Sequence, residues 1–441
     1  MTITANEDTA RVRCAQVPKP PSRFREAEAR GFRLGRGLRW FGGVDGRVDE
    51  QLMARIAVAL MERDELAAPL AGAMRTRADD PNTAGLTGGG STGSASAGKE
   101  RLSRAQIQAA LAAAPGKLPS DTPPQLSAFI IAVSAVPEWV DWELVERGAA
   151  LFRSFGQNAA DVLLQLSLIG GYRFGGPADL LVMTGGLTGQ KTSRRLAETQ
   201  HWVLNVTAPG AMRPGGVGWR ETVQVRIMHA QVNAAYEQRW DSERWGLPIN
   251  QADQAGTLGL FDGVLLLGCR TLGVPVSSGD AHAYMHLWRY VGWLMGVNED
   301  FLTDDEQERH RINYHILLAA ADITEAGPQL SRAIYEAQAE RDYGPWPGPL
   351  HSLRYRWEQE RLLSMLTTFL GVQSISELSL KPRPPWVFAY LWALNTCRYR
   401  VQDRFPGARL RRERWGRTRA ERIVDSYFRK QPQGLASLNQ D

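Results

Sequence analysis

From residue 128 to about residue 370, apolar side chains recur at three- and four-residue steps. That is the period of a helix with one face turned to a core. The pattern predicts helices over 142–154, 159–170, 177–184, 193–206, 219–240, 250–272, 278–295, 306–321, 329–340 and 353–369. Gly/Pro clusters interrupt them at 170–171, 175–177, 209–218, 246–248 and 344–349. Upstream, Leu52, Ile56, Ala59, Leu60 and Leu66 predict one helix within 48–70, and a short Ala-rich helix precedes the Pro-rich break at 115–124. The apolar run 385–397 is 13 residues long, short enough to be a core helix. Alternating β-branched stretches are nearly absent and no segment repeats at a fixed period. An all-α protein is expected, with one large helical domain and flanking helices.

Four regions follow from this pattern. Residues 1–45 are basic and punctuated by Pro and Gly, an irregular arm. Residues 46–127 form a helical N-terminal segment interrupted by the Gly/Ser/Thr tract 79–98, which has nothing to bury and predicts a flexible loop. No GK[ST] follows its glycines, so it is not a phosphate loop. Residues 128–397 are the main helical domain, and 398–441 a basic C-terminal segment.

The chain has 441 residues, with 43% hydrophobic and 22% charged. These proportions exclude a disordered, collagenous or disulfide-scaffold chain. Cys14, Cys269 and Cys397 are distant and odd in number, giving neither a disulfide framework nor a metal knuckle. No stretch reaches membrane-span length, and the start of the chain has no apolar run of a signal peptide. A cytoplasmic protein is expected from the chain as it stands, and a secreted or periplasmic one if an export signal has been removed. The net charge of +5 hides an asymmetry: residues 398–430 carry twelve Arg/Lys against four acids, a net +8. A solvated helix is the simpler reading of that run. No nucleic-acid motif or stacking array accompanies it, and no nucleic-acid partner is expected.

Three constellations carry candidate chemistry. Along 219–240, Trp219, Val223, Ile227, Ala230 and Ala234 form one stripe; Val225, His229, Val232 and Tyr236 form a second. His229 thus sits among aliphatic residues, as a core histidine does and as a haem ligand does. His282 and His286 are i, i+4, a spacing that also suits zinc, but no Glu follows His282 and no third ligand is evident. Asp179 heads an apolar helix, where it is either a first-turn carboxylate or part of a polar site. Arg194, Arg195, Glu198 and Thr199 follow, with Arg195 and Thr199 on one face. Either an exposed salt-bridged turn or a buried network of Asp179, Arg195 and Glu198 fits this pattern.

Taken in order, YRFGGPADLLVMTGGL, RRLAET, GAMRPGGVGW, RIMHAQVN, GLPINQADQAGTL and AYMHLWRYVGWLMGV resemble the MPAB/latex-clearing-protein catalytic domain of the rubber-oxygenase family. The similarity runs from about residue 142 to 295, with a helical continuation to about 370. It implies a globin-like core holding one non-covalent haem b. His229 falls at the proximal iron ligand, Arg195 and Thr199 on the distal helix, and Asp179 at a glutamate proposed as catalytic base. Glu198 falls at the family's distal lysine and cannot act as a neutral amine ligand, so an open or water-bound distal side is expected.

The resemblance further implies oxidative C=C cleavage by dioxygen in an apolar substrate, polyisoprene or a smaller isoprenoid, to aldehyde and ketone ends. A channel lined by Leu163, Leu166, Ile169, Phe261 and Leu265 would admit it. Two other readings remain at this point: a haem protein of the same fold with peroxidase-like, sensing or other output, and a non-haem helical interaction protein.

Overall fold

A computed structural model describes residues 19–74, 102–185, 190–338, 348–402 and 404–428. The tract 79–98 lies outside them. The described residues are helical and contain no strand. In chain order the helices are α1 (Glu28–Leu34), α2 (Arg36–Phe41), α3 (Glu50–Ala59), α4 (Ala68–Met74), α5 (Arg104–Ala113), α6 (Pro124–Ser134), α7 (Trp142–Phe155) and α8 (Gln157–Val162). A π-helical segment, Leu163–Ile169, continues α8. Then come α9 (Pro177–Met183), α10 (Gln190–Val206), α11 (Val217–Tyr236), α12 (Ser242–Trp245), α13 (Gln251–Phe261), α14 (Gly263–Thr271) and α15 (Ser278–Met295). The chain closes with α16 (Glu306–Ala319), α17 (Ala326–Ala337), α18 (Gly348–Glu377), α19 (Trp386–Gln402) and α20 (Ala408–Phe428).

Where the structure departs from the periodic pattern, local chemistry accounts for it. The segment 48–70 is two helices rather than one, because the chain leaves α3 at Leu60 and Asp64 accepts the first bond of the next. The run 250–272 also divides: Asp262 takes a non-helical backbone and its carboxylate caps α14. The N-terminal arm is not wholly irregular, since α1 packs on α16 through Gly31, where a Cβ would meet the Leu317 carbonyl at 2.1 Å. The apolar segment 385–397 leaves one face of α19 open, with Trp392 and Leu394 exposed.

Helix α15 is the hub. Tyr284, Met285, Leu287, Trp288, Tyr290, Val291 and Leu294 are all buried, so only a narrow stripe through Ser278, His282, Arg289 and Trp293 reaches solvent. α7 packs along it through Gly148, and α11 and α13 flank it. Trp202 of α10, Phe261 of α13 and Trp288 of α15 meet in one cluster, with Phe261 stacked on Trp288 at 5.2 Å. α20 lies on α7, α8 and α10, burying Ile423, Val424 and Tyr427 while its arginine face stays in solvent.

Helices α10 and α11 form a hairpin whose closed end is tight. A Cβ on Gly218 would lie 2.8 Å from both Asn205 O and Val206 Cα. Trp202 Nε1 donates to Thr222 Oγ1 at 3.1 Å, and Asn205 Nδ2 to Glu221 Oε1 at 2.8 Å. Gly218→Ala is therefore expected to lower stability by about 1–3 kcal/mol, the range of core overpacking. Chemical denaturation measures this; an unchanged midpoint would show that the hairpin absorbs the methyl.

Candidate functional site

The hairpin places two of the sequence-selected residues opposite one another. Arg195 lies seven residues before Trp202, and His229 seven after Thr222. At 1.5 Å per residue each is about 10 Å along its helix from the Trp202–Thr222 hydrogen bond. The Arg195 charge accordingly acts on His229, and also on Tyr172. Thr199 Oγ1 donates to Arg195 O at 3.1 Å, so the two share a helix face as their spacing predicts.

His229 has an environment unlike the other described histidines. Its ring lines a cavity of 390 Å³ with Asp64, Asn233, Gln254, Ile249 and Met295. Burial is the largest influence on its pKa, which falls to about 4; Asp64 opposes the shift and Arg195 adds to it. At neutral pH the imidazole is uncharged. Its Nδ1 is buried without a hydrogen-bond partner, and so is Oε1 of Gln254 on the same cavity wall. Unsatisfied buried polar atoms are uncommon, and two belonging to residues that line one cavity make it a candidate place for a ligand.

The residues around His229 are held by a set of side-chain ties. Arg226, one turn earlier, makes a two-pronged pair with Asp64 (Nε–Oδ2 2.6 Å, Nη2–Oδ1 2.8 Å) and donates to Leu294 O. Asn233, one turn later, clamps Ile249 through both its N–H and its carbonyl, at 2.8 and 2.9 Å. Asn250 caps α13, and Gln251 bridges Gly296 O and Asn298 N. These ties explain the RIMHAQVN and PINQ segments physically: they fix α11, α13 and the end of α15 around the His229 cavity.

A second, larger cavity of 990 Å³ lies on the other side of α13. The π-helical segment contributes Leu163, Leu164, Leu166 and Leu168 to its wall; π-helical turns are often found at functional sites. Leu196, Thr199 and Val203 enter from α10, and Leu260 and Phe261 from α13. Of the five channel residues expected from composition, Leu163, Leu166 and Phe261 line this cavity. Ile169 and Leu265 are fully buried core residues instead.

The remaining candidates go elsewhere. Asp179 closes the first turn of α9, its Oδ2 accepting from Gly176 N at 3.0 Å and Thr324 Oγ1 at 2.9 Å. Glu198 is buried and pairs with Arg194 at 2.9 Å, and it lines neither cavity. The expected network of Asp179, Arg195 and Glu198 is thus divided between two separate sets of partners. His286 has both nitrogens engaged: Nε2 accepts from Asp141 N at 2.9 Å, and Nδ1 faces Asp304 Oδ2 at 3.2 Å. That leaves no lone pair for zinc. The described residues contain no cluster of three or more His, Cys, Asp or Glu suited to a metal ion.

A family model described as ER-bound oxygenase mpaB/B'/Rubber oxygenase, catalytic domain, matches residues 146–399. The chain belongs to this family. It is 24% identical over 242 residues to the rubber oxygenase of Streptomyces sp. (strain K30), covering 53% of this chain and 56% of that protein. The chain therefore spans about half the length of this curated relative. Among solved structures, latex clearing protein LCP in the closed state shares the fold, with a TM-score of 0.57 and 19% identity over 87% of this chain and 94% of that one. The all-α architecture expected from periodicity is the family's architecture.

Asp64→Ala tests the scaffold of the site. It strands Arg226, only 8% exposed at its side chain, without its counter-ion. A loss of roughly 3–5 kcal/mol is expected in denaturant unfolding. A change near zero would mean that the fork is open to water.

Proposed function

We propose that the protein is a haem b-dependent oxygenase that uses dioxygen to cleave C=C bonds in an apolar unsaturated substrate, polyisoprene or a smaller isoprenoid, to aldehyde and ketone products. The observation that carries this reading is His229: a neutral imidazole with an unpartnered buried nitrogen, on a cavity wall, in a chain of the rubber-oxygenase family. The residues present fit the group. Cavities of 390 and 990 Å³ lie within the roughly 300–1,000 Å³ of small-molecule and cofactor sites. His229 would hold the iron, with Arg195 and Thr199 on the facing arm. Haem, when bound, supplies the oxygen activation.

The chain's own residues supply the rest. Burial keeps His229 deprotonated across the physiological range, so its lone pair is available without competition from a proton. Arg195, whose charge acts on His229, would stabilise negative charge on oxygen. The leucines of the π-helical segment and Phe261 give the larger cavity an apolar wall that would accept a hydrocarbon chain. Glu198 is held by Arg194 and offers no base toward His229, in keeping with an open distal side. Asp179 closes α9 with its carboxylate and lines neither cavity; its role as the base that takes an allylic proton rests in this reading on the family resemblance.

His229→Ala is expected to lose bound haem while far-UV circular dichroism stays helical; unchanged haem content and spectrum would remove His229 as ligand. Asp179→Asn keeps an amide oxygen for Gly176 and Thr324 but removes the base. Retained haem with turnover of an isoprenoid alkene lowered about 10²-fold or more is expected for loss of a general base. Full turnover would leave Asp179 with the α9 cap alone. The pH dependence has a definite sign. Because the pKa of His229 is lowered to about 4, haem affinity of the apoprotein should be flat from pH 8 to 5 and fall only near pH 4. A tenfold loss per unit below pH 6.5 would mean an ordinary, solvent-exposed histidine.

A further inference from the structure

The rim of the larger cavity combines two features that solvent-facing surfaces usually keep apart. Phe32, Trp40 and Phe41 of α1 and α2 line its mouth and are 48%, 67% and 72% exposed. Val372, from α18 across the mouth, is 60% exposed. Large exposed aromatics grouped at one opening mark an interaction site, whereas scattered ones do not. Interleaved with them, Arg33 and Arg36 also line the mouth and are exposed. Between residues 31 and 43 the chain carries three arginines and no acid. Among the described residues none of Arg33, Arg36 and Arg39 pairs with a carboxylate. Arg36 lies over the Trp40 ring at 4.7 Å and Arg39 over Phe32 at 3.6 Å.

We propose that the α1–α2 collar docks on an anionic phospholipid surface, with Phe32, Trp40 and Phe41 in the acyl boundary and Arg33 and Arg36 on the headgroup phosphates. Aromatic rings at the interface with arginines beside them are the composition that holds a protein on, rather than through, a bilayer. Charge selects this partner over a second copy of the chain, because a like-with-like rim would bring unpaired guanidiniums together. No helix among the described residues is long and apolar enough to cross a membrane, so attachment here is peripheral. The mouth then opens into the lipid, and an apolar substrate dissolved there enters the cavity without crossing water. That last step rests on the proposed function; the docking itself does not.

The test uses the full chain and vesicles of phosphatidylcholine, with and without phosphatidylglycerol, in a sedimentation assay that needs neither haem nor turnover. Binding is expected only to the anionic vesicles, weakening with salt. Arg33→Glu with Arg36→Glu, both surface changes, should lower the partition coefficient by roughly fivefold or more per charge. The combined Phe32→Ser, Trp40→Ser and Phe41→Ser variant should abolish binding, with its helical circular dichroism checked in parallel. Arg411→Glu, Arg414→Glu and Arg419→Glu on α20 should leave binding in place. Three outcomes overturn the proposal. Wild-type protein fails to bind anionic vesicles, or only the α20 variant loses binding. In the third, light scattering shows a dimer that the collar variants dissociate, without vesicle binding.

Discussion

The close approach of α10 and α11 at Gly218 is the constraint on which the site depends. With no side chain at that position, the two backbones meet at the closed end of the hairpin, and the Trp202–Thr222 and Asn205–Glu221 hydrogen bonds lock the register. Once register is set, helix geometry decides what lies opposite what: Arg195 and Thr199 on one arm, His229 on the other. The Trp202–Phe261–Trp288 cluster then ties the hairpin to the buried hub α15. The site is thus built on rigid helices, which hold a geometry better than loops do.

Electrostatics makes the position of His229 chemically useful. Burial, aided by the Arg195 charge, keeps the ring neutral, and the neighbouring Arg226–Asp64 fork supplies a satisfied, charge-balanced wall rather than a loose charge. A buried ion pair costs more to break than it gains by forming, so the fork holds its geometry. Around it, Asn233, Asn250 and Gln251 spend their hydrogen bonds on backbone groups. The polar residues of the RIMHAQVN and PINQ segments therefore mostly position helices, while Nδ1 of His229 and Oε1 of Gln254 are left over.

Much of this was legible in the sequence, for a physical reason: period-3.6 patterning reports which face of a helix is buried. The Trp219, Val223, Ile227 and Ala230 stripe is the buried face of α11, and the aromatic run 283–295 lies in the mostly buried α15. Periodicity does not report where a helix pauses, so the breaks at Asp262, whose carboxylate caps α14, and between α3 and α4, where the Asp64 carbonyl accepts the first bond of the next helix, escaped it. Nor does it show long-range polar partners. Asp64 lies 162 positions from Arg226, and Thr324 lies 145 from Asp179. One local signal was available: Arg226 and His229 are i, i+3, which places a cation one turn from the imidazole.

The central claim is that His229 belongs to a haem site. The most direct measurement is the visible absorption spectrum of the full chain expressed with haem available, recorded as purified, reduced, and reduced with carbon monoxide. A Soret band that shifts with carbon monoxide is the expected result, establishing haem and an accessible iron. No Soret band, under conditions in which a control haem protein loads fully, would contradict the account and return His229 to the role of a core histidine.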